Sequence, residues 1–418
     1  MSSRLMPWAV GVVLFTAAVI LVLSGIGNLT YDEVPYMSTA YLLMEHGVSR
    51  QFFDNYTCCA AGPLYAGVHA LLSPLTGMKA PGARMVNLVF LALILAVIAA
   101  TLHRRGYKNP GVITIGAIAI PSLWPISGLA LSEIPAMLAV SLGILIVVFS
   151  LESSGSSRRK LAYCLASGVL FGVASIGRQP FLGAALLAPI CFLFTKEWSW
   201  RHALIFLVGL LPLPLALFYM WGGIIPADVA NSFSGFVVKE NSVPAGGGLA
   251  FDHMVISLGY TAIFVFLIAP SWFKTGRVFL LSALVPIALN LVFGAVEVAP
   301  MRSLARDFLS ADLYRIYTYI GSAIVVAAAW YFVVNAVFRL LENRTNGLML
   351  FATLATGALA SHQIGVTTGF SSRYTATAIP FMIIMAADYH KLSGWQSVRM
   401  GAGGILGLIS LSRYLKLI

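Results

Sequence analysis

Charged residues are scarce in this chain. Asp, Glu, Lys and Arg make up 10% of its 418 residues, and only 15 residues are acidic. Soluble domains carry about 25% charged residues, so the composition excludes an ordinary soluble protein. Hydrophobic residues make up 59% of the chain, and the mean hydropathy is +0.89. Because a membrane helix needs roughly 20 apolar residues and satisfies its backbone groups internally, these values predict an all-α polytopic membrane protein.

Several kinds of site are also missing. The four cysteines, which include the vicinal pair Cys58-Cys59, form the pattern of neither a disulfide framework nor a zinc site. No histidines have H-x-x-H or H-E-x-x-H spacing, and no phosphate-binding glycine loop is present, which argues against a histidine metal site and against direct use of a nucleotide. The net charge of +11 is spread between hydrophobic runs and not gathered in a basic tract. It therefore indicates the positive-inside effect and no nucleic acid partner.

The hydrophobic runs predict about thirteen transmembrane helices. They lie near residues 8–27, 84–102, 110–128, 134–151, 161–177, 180–195, 202–221, 254–271, 278–295, 317–338, 347–366, 374–388 and 400–412. With the N-terminus inside, 15 of the 26 Lys and Arg residues fall on the cytoplasmic side and 11 on the other. This asymmetry favours that orientation. The expected location is a bacterial inner (plasma) membrane, which the protein would cross several times. The first run lacks an A-x-A cleavage site, so it is predicted to be retained as an anchor.

The first predicted extracytoplasmic loop, residues 28–83, has helical character. Its apolar residues recur at helical spacing and predict a helix with one apolar face; they are Val34, Met37, Tyr41 and Met44. Residues 62–77 predict a second segment of this kind. Both segments either lie on the membrane surface or pack as short helices in the core.

The other long extracytoplasmic loop, residues 222–253, contains the run PAGGGLAF, whose glycines predict flexibility. The chain shows no fixed-period repeat and no soluble region. Residues 1–418 are therefore predicted to form a single transmembrane domain.

Polar motifs follow the first hydrophobic runs in a distinctive order. The pair Asp32-Glu33, in YDEVPYMSTA, comes directly after the first run, and the segment AGPLYAGVHALLS follows it. Arg84 opens the second run in GARMVNLVFLALILAV, and Glu133 opens the fourth in ALSEIPAMLAVSL. All of these motifs fall on the predicted extracytoplasmic side.

Two further motifs carry arginine on the same side. Arg178 follows a glycine-rich run in GVLFGVASIGRQPFLGAALLAP, and Arg373 precedes a tyrosine and a proline in SSRYTATAIPFMII. In this order the six motifs resemble those of the GT-C membrane glycosyltransferases, specifically the protein O-mannosyltransferase and aminoarabinose-transferase type. The resemblance covers most of residues 1–195 together with residues 360–390.

This resemblance implies a GT-C fold and an enzyme. The implied reaction is an inverting transfer of a sugar from a polyprenyl-phosphate-linked donor to an extracytoplasmic acceptor. The acceptor class stays open between a glycolipid such as lipid A, a cell-wall or surface polysaccharide, and a protein. The implied partners are thus the lipid-linked donor, this acceptor and membrane lipids.

The carboxylates receive roles from the resemblance and from their chemistry. Asp32 is assigned as the general base that takes the proton of the acceptor hydroxyl, and Glu33 as its catalytic partner, which orients the acceptor or Asp32. Glu133 is assigned to position the acceptor or a cation. A divalent cation between Asp32 and Glu133 is compatible with the sequence, and no cofactor is certain. The plain alternatives are a solvated interface for the Asp-Glu pair and a helix N-terminus for Ser132-Glu133.

The arginines are assigned to the donor phosphate. Arg84, Arg178 and Arg373 all lie at extracytoplasmic ends of predicted spans, against the positive-inside trend. The planar guanidinium stays charged and binds phosphate oxygens with two parallel hydrogen bonds, and ionisable groups at such depth are functional candidates. The alternative for each arginine is that it reaches to lipid headgroups.

Two other functions are weighed against this one. An O-antigen polymerase or ligase also acts on lipid-linked glycans, but it concentrates its functional residues in a large late outer loop, whereas the acidic pair here lies in the first loop. A lipid or sugar transporter predicts charges near the bilayer midplane and repeated halves, and the sequence has neither.

Overall fold

The computed structural model describes most of the chain. The described residues are 5–56, 61–153, 157–226, 249–298, 305–306, 308–366, 370–391 and 393–417. The vicinal cysteines Cys58 and Cys59 and most of the 222–253 loop lie outside them. Within the described residues the secondary structure is helical, without a β-strand, which confirms the all-α prediction.

The described helices range in length from 4 to 32 residues. Those of the first half are α1 (Leu5–Ser24), α2 (Glu33–His46), α3 (Arg50–Asp54), α4 (Leu64–Leu71), α5 (Ser73–Thr76), α6 (Gly82–Arg104), α7 (Pro110–Ile115), α8 (Leu123–Gly128), α9 (Glu133–Glu152), α10 (Ser157–Gly177), α11 (Pro180–Phe194), α12 (Trp200–Leu210) and α13 (Pro212–Trp221). Those of the second half are α14 (Phe251–Ile268), α15 (Arg277–Ser282), α16 (Leu284–Phe293), α17 (Ala311–Glu342), α18 (Gly347–Ser361), α19 (Ser372–Ala376), α20 (Ile379–Ala386) and α21 (Gly394–Tyr414). Short 3₁₀ turns occupy Gly116–Ala119, Pro270–Trp272, His362–Gly365 and Ala387–Tyr389.

Eight helical segments of the described chain are long and apolar enough to cross a membrane. They are Leu5–Ser24, Gly82–Arg104, Glu133–Glu152, Arg158–Gly177, Trp200–Trp221, Phe251–Ile268, Ala311–Glu342 and Gly347–Gly365. Four apolar helices are shorter: Pro110–Ala119, Pro180–Phe194, Leu284–Phe293 and Ile379–Tyr389. A multi-pass membrane protein is therefore confirmed, while the number thirteen stays a prediction.

Some predicted spans are broken in the structure. The run 110–128 is divided into α7, a 3₁₀ turn and α8, with Pro121 between the last two. Proline lacks the N–H that would continue the helical hydrogen bonds, so an apolar run alone overestimates helix length here. The run 278–295 is likewise divided between α15 and α16.

The long helices have two common ends, which we call the Asp32 end and the Arg104 end. Helix α6 begins beside Glu33, which Arg84 contacts, and it ends at Arg104, which pairs with Glu152 at the far end of α9 at 3.6 Å. With a rise of 1.5 Å per residue, its 23 residues span about 34 Å, close to the thickness of a bilayer's hydrocarbon core. Residues predicted on opposite membrane sides thus lie at opposite ends.

Small residues let neighbouring helices approach closely. A side chain on Gly168 of α10 would overlap the carbonyl of Phe206 in α12, and one on Gly209 of α12 would overlap the carbonyl of Leu165 in α10. Close backbone approach of this kind is how membrane helices gain packing energy, because lipid supplies no hydrophobic driving force between them.

The predicted first loop contains α2 to α5. Of the four residues of the predicted apolar face, Val34, Tyr41 and Met44 are about half exposed, whereas Met37 is buried against the core. Helix α2 therefore packs one side on α4 and presents apolar side chains on the other, as expected of a helix at a membrane surface.

Candidate active site

A buried ion pair lies beneath the Asp32 end. The side chains of Glu33 and Arg84 are both completely buried, and the guanidinium contacts both carboxylate oxygens, from Nε to Oε1 at 2.9 Å and from Nη2 to Oε2 at 2.7 Å. Arg84 also donates to the carbonyl oxygens of Ile26 and Asn28 at 2.8 and 2.9 Å. These bonds attach the start of α6 to the chain that leaves α1.

Glu33 accepts three more hydrogen bonds. The backbone N–H and the hydroxyl of Thr30 donate to Oε2 at 2.8 and 3.2 Å, and the N–H of Ala130 donates to Oε1 at 2.8 Å. Ala130 lies three residues before Glu133. One buried carboxylate therefore holds together the turn that carries Asp32 and the turn that carries Glu133.

This geometry bears on the predicted roles of Arg84 and Glu33, which stay predictions. Arg84 exposes no side-chain surface and is already bound to a carboxylate and two carbonyls, so it is not placed to bind a donor phosphate. Glu33 is equally enclosed, so it cannot touch an acceptor. The hydrogen bonds of Glu33 to Thr30 and Ala130 connect this buried pair to the turns before Asp32 and Glu133.

Asp32 has the opposite environment. It precedes α2, its side chain is 43% exposed, and its Oδ2 forms an ion pair with Nη1 of Arg373. The residue before it, Tyr31, has φ of +50°, in the left-handed region that side chains rarely adopt. Such conformations persist where the surroundings fix the backbone, and the Glu33 hydrogen bonds to Thr30 do so here.

Glu133 joins the remaining two arginines. Its side chain is fully buried at the first turn of α9, and its Oε1 contacts Nη2 of Arg178 and lies 3.6 Å from Nε of Arg373. Arg178 directly follows α10, and Arg373 lies in the short helix α19. The structure thus brings together Asp32, Glu133, Arg178 and Arg373, which are separated by up to 341 residues of sequence. We call these four residues the charged cluster.

Two tyrosines complete the surroundings of the cluster. The ring of Tyr374 lies under both guanidinium groups, at 5.4 Å from that of Arg178 and 4.9 Å from that of Arg373, and its hydroxyl accepts from Arg373 at 3.1 Å. Tyr36, one helical turn after Asp32, interacts electrostatically with all four members, and burial raises its pKa. Its hydroxyl therefore stays protonated.

The sequence motifs predict no role for these tyrosines. Tyr374 follows Arg373 directly, and Tyr36 follows Asp32 by four residues, a spacing that places two side chains on one face of a helix. That spacing was the signal that could have identified Tyr36.

The arginines keep unused hydrogen-bond donors. Nε of Arg178 is buried without a hydrogen-bond partner among the described residues, and so is Nε of Arg373. An unpaired buried donor costs about 1–3 kcal/mol, so these groups are expected to gain a partner when the site is filled. An anion with several oxygen atoms supplies such partners.

Arginine lies between the two carboxylates that were considered for a divalent cation, which stays a prediction. Arg373 contacts both Asp32 and Glu133, so a guanidinium occupies the place between the two carboxylates that a metal ion would need. Within the described part of the chain, no group of three His, Cys, Asp or Glu side chains could hold a metal ion. The carboxylates of Asp32 and Glu133 are thus paired with arginines of the protein itself.

The segment AGPLYAGVHALLS contacts the chain next to the cluster through Gly62. The N–H of Gly62 donates to the carbonyl of Gly177 at 3.2 Å, and a side chain on Gly62 would overlap the carbonyl of Ile176. Only glycine allows this approach to the end of α10. The contact fixes the backbone immediately before Arg178.

No protein-family model matches the sequence, and no curated protein matches it. In fold the chain is similar to ArnT from Cupriavidus metallidurans, solved in the apo state and bound to undecaprenyl phosphate, with 15% identity, a TM-score of 0.44 and coverage of 97% of this chain and 77% of that one. It is also similar to the Archaeoglobus fulgidus oligosaccharyltransferase tethered with an acceptor peptide, with 11% identity and a TM-score of 0.45. That match covers 98% of this chain and 55% of the other, so this chain spans about half of its length.

Proposed function

We propose that this protein is a membrane glycosyltransferase that moves a sugar from a polyprenyl-phosphate-linked donor to an acceptor at the Asp32 end. The observation that carries the proposal is the convergence of Asp32, Glu133, Arg178 and Arg373 from four separate elements at one end of the spans. A half-exposed carboxylate beside two guanidinium groups matches what this transfer requires: a base for the acceptor and a charge partner for the leaving phosphate.

Asp32 is proposed as the base. The acceptor hydroxyl loses its proton to the Asp32 carboxylate while its oxygen attacks the anomeric carbon of the donor sugar. The bond from that carbon to the phosphate oxygen breaks, and the electron pair leaves with the polyprenyl phosphate. Attack opposite the leaving group inverts the anomeric centre. The 43% exposure of the Asp32 side chain leaves room for an acceptor to reach it.

Charge balance supports this division of roles. The charged cluster is neutral as a whole, because two carboxylates face two guanidinium groups. The donor is a phosphodiester with one negative charge. When Asp32 takes the proton it becomes neutral, and the leaving phosphate gains the charge that Asp32 has lost. The negative charge therefore moves towards Arg178 and Arg373, where charge-assisted hydrogen bonds stabilise it.

Glu133 is proposed as a positioning residue. It is fully buried and contacts both arginines, so it is placed to fix their orientation and not to touch the acceptor. The ring of Tyr374 packs against the same two groups. Preorganised charges of this kind lower the barrier because they need no rearrangement during the reaction.

The experiment has a binding arm and a transfer arm. Undecaprenyl phosphate, as a probe of the leaving group, is titrated into purified protein, and sugar transfer is followed from a panel of polyprenyl-phosphate sugars into membrane extracts. We expect Arg178→Ala to lose most of both activities. Arg178→Lys should keep part of them, because lysine preserves the charge but not the planar fork.

The matched control is Arg315→Ala. Arg315 lies in the first turns of α17, is exposed, and is outside the charged cluster. It should bind the probe and transfer sugar as the unchanged protein does. If Arg178→Ala binds undecaprenyl phosphate normally, the phosphate assignment is wrong. If no donor of the panel yields transfer while the probe still binds, the glycosyltransferase function itself is wrong.

A further inference from the structure

A polar cavity lies at the opposite end of α6 from the charged cluster. It has a volume of about 600 Å³ and is bordered by the turn that follows α6, by the residue before α18 and by the residues that follow α20. The residue Arg104 ends α6, so this cavity opens at the Arg104 end. The proposed transfer chemistry uses none of its residues.

The cavity is lined mainly by hydrogen-bond donors. Arg105 and Lys108 are exposed cations at its rim, and Asn346 contributes an amide. Asp388 is the acidic residue of the lining, and it accepts a hydrogen bond of 2.5 Å from the hydroxyl of Tyr107. The tyrosine thus occupies one oxygen of the carboxylate, and the two cations leave the lining with an excess positive charge.

One deeper group of the cavity lacks a partner. The Nε2 atom of His390 is buried without a hydrogen-bond partner among the described residues. Burial, assisted by the charge of Arg399, lowers the pKa of His390 to about 4. The ring is therefore neutral at pH 7, and its Nε2 atom can form one hydrogen bond with a ligand, as donor or as acceptor.

An apolar groove shares α7 with the cavity: Ile113 of this helix lines the cavity, whereas Gly111, Thr114 and Ile115 line the groove. It has a volume of about 350 Å³ between α1, α6 and α7, and its lining includes small residues such as Gly11, Ala96 and Gly111. The same corner of the molecule thus offers cationic donors at the membrane boundary and an apolar channel within the membrane. A soluble anion uses only the first of these features, whereas a phospholipid uses both.

We propose that this corner binds an acidic phospholipid of the leaflet at the Arg104 end, with its headgroup phosphate between Arg105 and Lys108 and one acyl chain in the groove. Basic pockets between membrane helices recognise anionic headgroups in this way. The site is separate from the charged cluster and does not depend on the proposed function.

The test measures lipid affinity on the full-length protein in detergent. Native mass spectrometry follows binding of phosphatidylglycerol, phosphatidylcholine and water-soluble glycerol phosphate. We expect phosphatidylglycerol to bind more tightly than the other two ligands. The double variant Arg105→Gln/Lys108→Gln should weaken its binding by about tenfold or more, since each basic residue near an anionic headgroup contributes several-fold.

Two further variants make the result specific. Arg158→Gln/Arg159→Gln removes the same charge from exposed positions at the same end that do not line the cavity, and it should bind phosphatidylglycerol as before. Ala96→Phe fills the groove and should weaken the binding of phosphatidylglycerol. The proposal is overturned if both charge variants weaken binding equally, if Ala96→Phe has no effect, or if glycerol phosphate binds as tightly as the lipid.

Discussion

The buried pair of Glu33 and Arg84 allows a sharp test of what supports the site. In Arg84→Met, a methionine replaces a side chain that donates two hydrogen bonds to the buried Glu33 carboxylate and two to the partly buried carbonyls of Ile26 and Asn28. Removing one partner of a buried ion pair costs about 3–5 kcal/mol. The two carbonyls add less than the about 1–3 kcal/mol of a fully buried unpaired group, because they are only partly buried. The free energy of unfolding of native proteins is about 5–15 kcal/mol. We therefore expect a severe loss of stability.

A second substitution tests the cause. In Glu33→Gln/Arg84→Met the buried negative charge is gone, while the amide oxygen of glutamine still accepts from Thr30 or Ala130. The double variant should therefore be more stable than Arg84→Met alone, although it has one more substitution. The assay is the thermal unfolding midpoint in detergent, combined with binding of undecaprenyl phosphate below that midpoint.

The result that refutes this reasoning is simple to recognise. If Arg84→Met unfolds at the temperature of the unchanged protein but no longer binds undecaprenyl phosphate, then Arg84 is a ligand of the donor, as the sequence predicts. Failure of Glu33→Gln to restore any stability would show that the buried charge is not the source of the loss.

Three other predictions concern the cluster, the topology and pH. Glu133→Gln should lower turnover by up to about 100-fold through misplaced arginines and leave undecaprenyl phosphate binding within a few-fold; equal losses of both would place Glu133 in direct contact with the donor. In a variant whose native cysteines are serine, Val48→Cys, an 84% exposed position, should react with an impermeant thiol reagent from outside the cytoplasm and Lys108→Cys from inside; the reverse labelling would invert the proposed topology. Burial lowers the pKa of His69 from 6.5 to about 4. The stability that depends on a neutral His69 is therefore complete above pH 6.5, and the free energy of unfolding decreases by up to about 3 kcal/mol as the pH falls towards 4. In His69→Phe the unfolding midpoint should fall less on acidification, and parallel pH curves for the two proteins would contradict this.

The residues of the site could be predicted from the sequence, because the order of their motifs and the membrane side of each motif could be predicted. Asp32, Glu133, Arg178 and Arg373 all occur at span ends on the predicted extracytoplasmic side, and the structure places them in contact. Their roles remain proposals. What a linear pattern could not separate is an arginine that faces the site from one that is sealed beneath it. Arg84 is of the second kind, because its ion pair with Glu33 joins residues 51 positions apart and both side chains are buried.

The fold was predictable to a similar degree. Apolar composition and run length indicated a multi-pass helical protein, and the long runs match the long helices. Helix ends and breaks depended on single residues and on packing. Pro121 divides a run that reads as one span, whereas α17 extends over 32 residues and exceeds its predicted span at both ends. Hydropathy measures the cost of exposing a segment to water, and it contains no information about where neighbouring helices bend it.

The central claim is that Asp32 acts as the base at the charged cluster, and one substitution tests it most directly. Asp32→Asn keeps the size of the side chain but cannot take a proton. The measurement compares sugar transfer with undecaprenyl phosphate binding in the same purified protein. Loss of a general base should slow transfer by about 100- to 10,000-fold, while binding stays within a few-fold because Arg178 and Arg373 remain. Transfer at the unchanged rate by a folded Asp32→Asn protein that binds the lipid would contradict the account.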